Sequence, residues 1–192
     1  MLIYLTGAPA TGKTTLCRYL EQRIPGLQHI AYRDLLMAHV ADRYRNLTIE
    51  TLREAPSQFV TRADVDATDR KLIGIVAELR KQKHVLVDSH PMSKEPYGFR
   101  ITPFTPKQIS LLAPDVIVCL YADPAEISRR IRANAEGRPV PSEFELSLQI
   151  TQQASVATQY AYTLGKACHI LNSAMAVEEL GKAVCRIARI PD

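Results

Sequence analysis

The sequence predicts an α/β fold built on a parallel sheet, and three observations carry that prediction. Short apolar runs alternate with segments of helical periodicity along the whole chain. A glycine-bracketed stretch, Gly7-Ala8-Pro9-Ala10-Thr11-Gly12-Lys13-Thr14, stands between the first such run and the first helical segment. The 192 residues are 46% hydrophobic and 23% charged, with 8 Gly and 12 Pro. That is the size and composition of one globular domain, and it excludes collagen-like, low-complexity and disordered chains.

The elements follow in order. Leu2 to Leu5 is an uninterrupted apolar run, as expected of a strand covered on both faces. Lys13 to Arg23 has helical spacing, Gln28 to Tyr32 is a weaker strand, and Arg33 to Tyr44 is a helix. Residues 45–65 break the pattern and read as an insert, after which Asp66 to Lys81 resumes helical spacing. Val85 to Val87 is a strand running into Asp88, and Val116 to Leu120 is another, followed by a helix over Ala125 to Asn134. Residues 132–142 read as a second insert, closed by a Ser142-x-x-Glu145 capping box that opens a helix over Glu143 to Leu164. A weaker strand, Cys168 to Leu171, and a helix, Val177 to Ala188, complete the chain. Strand–helix alternation of this kind implies right-handed crossovers.

Charge and cysteine usage narrow the function classes. The net charge is +4, from 24 Lys+Arg against 20 Asp+Glu, and the basic residues are dispersed. This balance suits an anionic small molecule without demanding nucleic acid, although neither a nucleic-acid nor a protein partner is excluded. The longest apolar run, Val116 to Ala122, falls far short of the ~20 residues that span a bilayer, so no membrane partner is expected. The start, Met1-Leu2-Ile3-Tyr4, lacks the basic region of a signal peptide. Cys17, Cys119, Cys168 and Cys185 lie far apart with no C-x-x-C spacing, so neither a zinc site nor a disulfide framework is expected, and the setting is a reducing, cytoplasmic one.

The stretch at 7–14 is a full match to G-x-x-x-x-G-K-[ST] in the context that gives the pattern meaning, after a strand and at the start of a helix. Consecutive backbone N–H groups and the positive end of the helix dipole then face a polyphosphate. Gly7 and Gly12 permit the close approach, Lys13 reaches the β- and γ-phosphates of ATP, and the Thr14 hydroxyl binds Mg²⁺. Ala8, Pro9, Ala10, Thr11 and Thr15 complete the phosphate-binding set. Asp88, at the carboxyl end of an apolar strand, is the candidate acid beside Mg²⁺. His90, two residues on, is placed to order a water or touch the γ-phosphate, or is a surface histidine after a strand.

These residues give the chain its likeness to a family. The phosphate loop, Asp88-x-His90, Pro114-Asp115-Val116-Ile117-Val118, the Arg129-Arg130 helix and the ending Tyr160 to Asn172 together resemble the archaeal-type adenylate kinases and their small nucleotide kinase/ATPase relatives, over nearly the whole chain. The resemblance implies a P-loop NTPase fold, a five-stranded parallel sheet flanked by helices, within a single domain of residues 1–192. It implies an acceptor-binding insert about 33–75 and a lid about 130–142. It gives Arg53 to the acceptor phosphate and Arg138 to the transferring phosphoryl group as a lid arginine. Arg100, in Gly98-Phe99-Arg100, is similar to the Gly-Phe-x-Arg segments of classical adenylate kinases and is a second acceptor candidate. Asn172 falls where the family surrounds the adenine, and Arg130 is a further nucleotide contact. The chain departs from the family where Glu136 and the Gln152-Gln153-Ala154 stretch stand in the place of arginines, which implies a slow kinase leaning on Arg138, with Arg129, Arg130 and Arg132 as substitutes or as a solvated helix face. The implied function is an ATP- and Mg²⁺-dependent nucleoside monophosphate kinase. Two alternatives stay open, a slow ATPase acting as a nucleotide-dependent switch or assembly factor, and a kinase for another small acceptor.

Overall fold

A computed structural model describes residues 1–44, 47–134 and 140–190. In chain order the elements are β1 (Leu2–Gly7), α1 (Lys13–Arg23), β2 (Gln28–Ala31), α2 (Tyr32–Val40), α3 (Ile49–Glu54), α4 (Pro56–Phe59), α5 (Arg62–Leu79), β3 (Val85–Asp88), β4 (Met92–Glu95), β5 (Gly98–Ile101), α6 (Pro106–Leu112), β6 (Val116–Tyr121), α7 (Pro124–Ala133), α8 (Glu143–Leu164), β7 (Cys168–Asn172) and α9 (Val177–Ala188).

Five strands form one parallel sheet in the order β2-β3-β1-β6-β7, and β4 and β5 form a separate antiparallel hairpin. The central strand β1 is buried at every residue, because helices cover both faces of the sheet. Its alternate side chains serve two cores. Ile3 and Leu5 pack with Leu16 and Leu20 of α1 and with Leu180 and Val184 of α9. Leu2 and Tyr4 pack on the other face with Leu72 and Val76 of α5, Ile109 and Leu112 of α6, and Ala157, Tyr160 and Ala161 of α8. The connection between β1 and β3 therefore carries the chain out to the sheet edge at β2, through the helices α2–α5, and back beside β1. That route places the turns after β1 and β3 side by side at the carboxyl edge, where β1 and β3 run in register from Leu2 against Val85 to Leu5 against Asp88.

The described part of the first insert is more regular than the sequence expectation. The helix expected over Arg33 to Tyr44 ends at Val40 and tightens into a 3₁₀ turn over Ala41–Arg43. The region expected to be an irregular insert over 45–65 holds α3 and α4, and α5 begins at Arg62 rather than Asp66. The cause is a capping box: the Thr61 side chain accepts from the Asp64 N–H, and the Asp64 carboxylate accepts from the Thr61 N–H. Thr105 and Gln108 cap α6 in the same way, with Pro106 in its first turn.

One buried acid on α5 links this region to the core. Asp69 accepts from the Tyr32 hydroxyl at 2.7 Å and from Gln108 Nε2 at 3.0 Å, and is 2% exposed. Burial pushes its carboxyl up to about 6, the hydrogen bonds from Tyr32 and Gln108 opposing only in part. A carboxyl whose pKa is higher in the folded than in the unfolded chain favours folding most when protonated, so its contribution is complete below the unfolded pKa near 4 and is lost as pH rises through about 6. Relative to Asp69→Asn, the wild type is expected to lose about 1–2 kcal/mol of unfolding free energy between pH 4.5 and 7.5, by urea denaturation. A constant difference between the two proteins across that range would refute the assignment.

Candidate nucleotide-binding site

The loop between β1 and α1 is shaped by its glycines. Gly7 has φ of 146°, and a Cβ there would lie 2.5 Å from the Leu120 carbonyl oxygen, so only glycine lets β1 pass β6 this closely. Gly12 is left-handed, with φ of 82°, and turns the chain into α1 without a side-chain cap. Within the loop the Thr11 hydroxyl donates to the Ala8 carbonyl at 2.7 Å. Lys13 folds back over the loop, its Nζ donating to the carbonyls of Gly7 at 2.7 Å and Ala8 at 3.0 Å. The uncapped N-terminus of α1 is a dipole end left to an anion.

This loop forms one wall of a cleft of about 950 Å³, at the upper end of the range for small-molecule sites. Pro9, Ala10, Thr11, Gly12, Lys13, Thr14 and Thr15 all line it, whereas Gly7 and the fully buried Ala8 lie behind the lining as support. Asp88 and His90 line the cleft too, in the turn after β3 beside the loop; β3 stops at Asp88, and His90 lies beyond it in an exposed position. Among the described residues, seven basic ones, Lys13, Arg18, Arg33, Arg53, Lys94, Arg100 and Arg130, line the cleft against the two acids Glu50 and Asp88. The excess of positive charge over one concave surface suits a polyanion, and its spread from the phosphate loop to α2 and α3 leaves room for two.

The remaining site residues differ in how they are held. Arg130 on α7 donates to the carbonyls of Ala10 and Ser173 at 3.3 and 3.1 Å and pairs with Glu126 at 2.7 Å, so it braces the loop against the turn after β7. Arg129 pairs with the same Glu126 from a side chain 71% exposed and lies on the outer face, and Arg132 is exposed as well. Arg53, half-buried in the last turn of α3, lines the cleft. Arg100 is engaged from within: it donates to the Val60 carbonyl at 3.0 Å and pairs at 3.4 Å with Glu95, a fully buried carboxylate that also accepts from the Ser57 N–H and the Ser93 hydroxyl. Asn172 uses its side chain to accept from the Ala174 N–H at 3.0 Å and is exposed, while its neighbours Ser173, Met175 and Val177 line the cleft. Arg138 and Glu136 lie outside the described residues, as does the lid from 135 to 139; the preceding residues Arg130–Ala133 belong to α7.

Sequence reasoning missed several cleft residues. Lys94 reaches it from the hairpin, held by Glu145 at 2.5 Å and lying 5.0 Å from the Phe99 ring centre. Gln149 enters from α8, 1% exposed with its Nε2 lacking a hydrogen-bond partner among the described residues. The resemblance placed an arginine a little further along the same helix, in the Gln152-Gln153-Ala154 stretch. Gln153, one turn on from Gln149, is buried behind Thr6, within 3.4 Å of the hydroxyl.

Comparisons with known proteins agree with this geometry. The model of the AAA domain family matches residues 6–147. An adenylate kinase homolog of Methanothermobacter thermautotrophicus is 28% identical over 136 residues, covering 71% of this chain and 65% of that protein's length. The adenylate kinase of Pyrococcus furiosus is 26% identical over 163 residues, covering 83% of this chain and 80% of the relative. Among solved structures, shikimate kinase from Bacteroides thetaiotaomicron superposes with a TM-score of 0.57 at 16% identity, covering 99% of each chain, a likeness of fold.

Proposed function

From a chain that belongs to the AAA domain family, we propose an ATP- and Mg²⁺-dependent kinase that transfers the γ-phosphoryl group to a nucleoside monophosphate, AMP first among the candidates. The observation that carries this reading is a single cleft lined both by the phosphate loop and by further cationic side chains, Arg33 on α2 and Arg53 on α3. Such a cleft brings two anions together, and positioning of this kind is a large part of what phosphoryl transfer requires. The residues present fit the metal: Thr14 and Asp88 both line the cleft, and Asp88 Oδ1 is a buried oxygen without a hydrogen-bond partner among the described residues. When bound, Mg²⁺ neutralises charge on the phosphates. The chain's own part is positional: loop N–H groups hold the β- and γ-phosphates, Lys13 leaves its loop carbonyls for them, Arg130 fixes the loop, and Arg53 orients the acceptor. Arg138 completes this proposal as a lid donor.

A second reading, slow ATP hydrolysis coupled to a partner, is supported by Gln149, an amide in the cleft of the type that orders an attacking water. Turnover of ATP with a panel of nucleoside monophosphates, and with shikimate-like hydroxy acids as other small acceptors, separates the readings. Diphosphate product that depends on a monophosphate supports the first; phosphate release indifferent to every acceptor would falsify it.

The two acceptor arginines have different expected behaviour. Arg53→Ala should raise the acceptor KM about tenfold or more with little change in stability, the loss of one charge-assisted contact. Arg100→Ala leaves Glu95 buried without its cation and should lower stability by about 3 kcal/mol, by thermal or urea unfolding. Equal stability losses at the two positions would make Arg53 a structural residue too.

A further inference from the structure

The cysteine spacing along the chain gives no hint of a metal site, but the sheet register assembles one. His29 on β2 pairs with Leu86 on β3, and Asp88 follows Leu86 by two residues, so both side chains project on the face of the sheet that α1 covers. Leu86 and Cys17 belong to the core on that face. The outcome is that Cys17 Sγ, a nitrogen of His29 and a carboxylate oxygen of Asp88 all lie within 4.8 Å of one another.

Two features distinguish this cluster from three polar groups that happen to meet. His29 Nε2 and Asp88 Oδ1 are buried and have no hydrogen-bond partner among the described residues, the state in which a polar atom is costly unless something else binds it. On the other side of the ring, His29 Nδ1 lies 3.7 Å from the Glu21 carboxylate. A metal-ligating histidine characteristically turns its second nitrogen to such a carboxylate, which fixes the ring and strengthens the ligand.

We propose that Cys17, His29 and Asp88 form a binding site for a thiophilic divalent cation of the zinc class, distinct from the magnesium that accompanies the nucleotide. Ligands at about 2.0–2.3 Å from such an ion lie some 3.3–3.8 Å apart in a tetrahedral arrangement, so from separations within 4.8 Å the cluster needs to contract by about 1.5 Å at most. One thiolate, one imidazole and one carboxylate favour zinc or cobalt over magnesium and leave a fourth position for water. A cysteine thiol is protonated at neutral pH, whereas a metal takes it as the thiolate. Binding replaces that proton, which leaves to solvent, one per ion, with no change in oxidation state. Because the ion takes Asp88 from the nucleotide cleft, it should also inhibit turnover; this consequence rests on the phosphoryl-transfer reading, and the binding itself does not.

The test uses the full chain, stripped with a chelator, and Co²⁺ as a spectroscopic probe that Zn²⁺ then displaces. One Co²⁺ per chain with a thiolate charge-transfer band in the near ultraviolet is expected, absent in Cys17→Ser and retained in Cys168→Ser. His29→Gln should weaken Zn²⁺ binding by at least about tenfold in a competition with a chromophoric chelator. His29 is partly exposed, so this variant decides the matter even where Cys17→Ser does not fold. A wild type without the band, a band lost with Cys168 instead of Cys17, or unchanged affinity in His29→Gln overturns the site. None of these readouts requires nucleotide, so they stand or fall independently of the kinase activity.

Discussion

Replacing Lys13 by alanine is expected to lower kcat by about 1,000-fold while the protein remains folded. The two halves of that expectation come from different magnitudes. In the structure Lys13 gives its loop two hydrogen bonds, to the carbonyls of Gly7 and Ala8. The Ala8 carbonyl keeps a second donor in the Thr11 hydroxyl, and Gly7 stays paired with Leu120 of β6, so the loss to stability is about 1 kcal/mol. The loss to the transition state is that of a preorganised positive charge at a phosphoryl group, about 4 kcal/mol. Lys13→Arg should restore little, because a planar guanidinium does not fit where a compact ammonium sits between two carbonyls. Turnover within tenfold of wild type in a folded Lys13→Ala protein would place the phosphates elsewhere in the cleft.

Much of the fold was legible because its signals are local. The bounds of α1, α8 and α9 follow from the Gly12-Lys13 turn, the Ser142–Glu145 capping box and the helical periodicity up to Gly165, and the structure has those helices at the expected residues. The start of α5 and the whole of α6 carried equally local signals, Thr61-x-x-Asp64 and Thr105-Pro106-x-Gln108, that periodicity alone passes over. The hairpin β4–β5 was not legible. Its strands lack apolar alternation, and what holds them is the Glu95–Arg100 pair, the Lys94 stem over Phe99 and contacts to α4 and α8, all settled by tertiary packing. The site divides in the same way. The loop and Asp88 are contiguous motifs, but Arg18, Arg33, Lys94 and Gln149 enter the cleft through the order in which strands pair and helices pack. Cys17 and His29 are twelve positions apart in sequence and meet only across that same packing.

Asp88→Asn is expected to lower Mg²⁺-dependent turnover about 100-fold and to leave the protein as stable as before, or more stable by up to about 1 kcal/mol. A carboxylate serving the fold would be surrounded by donors, as Glu95 is by Ser57 and Ser93. Asp88 has one oxygen buried without any, at the end of a strand whose backbone is already paired to β1 and β2. Removing its charge therefore relieves the folded chain and penalises only what binds there. Opposite signs in stability and activity are what a residue kept for its site should show. Affinity for ATP without Mg²⁺ should be unchanged or tighter, since a negative charge leaves the phosphate cleft, while the concentration of Mg²⁺ needed for half-maximal rate should rise. Thermal unfolding, ATP binding in the presence of a chelator, and a Mg²⁺ titration of the rate measure the three quantities separately. A variant that loses stability along with activity, and whose Mg²⁺ requirement is unchanged, would make Asp88 a structural end to β3 and leave the metal to other groups in the cleft.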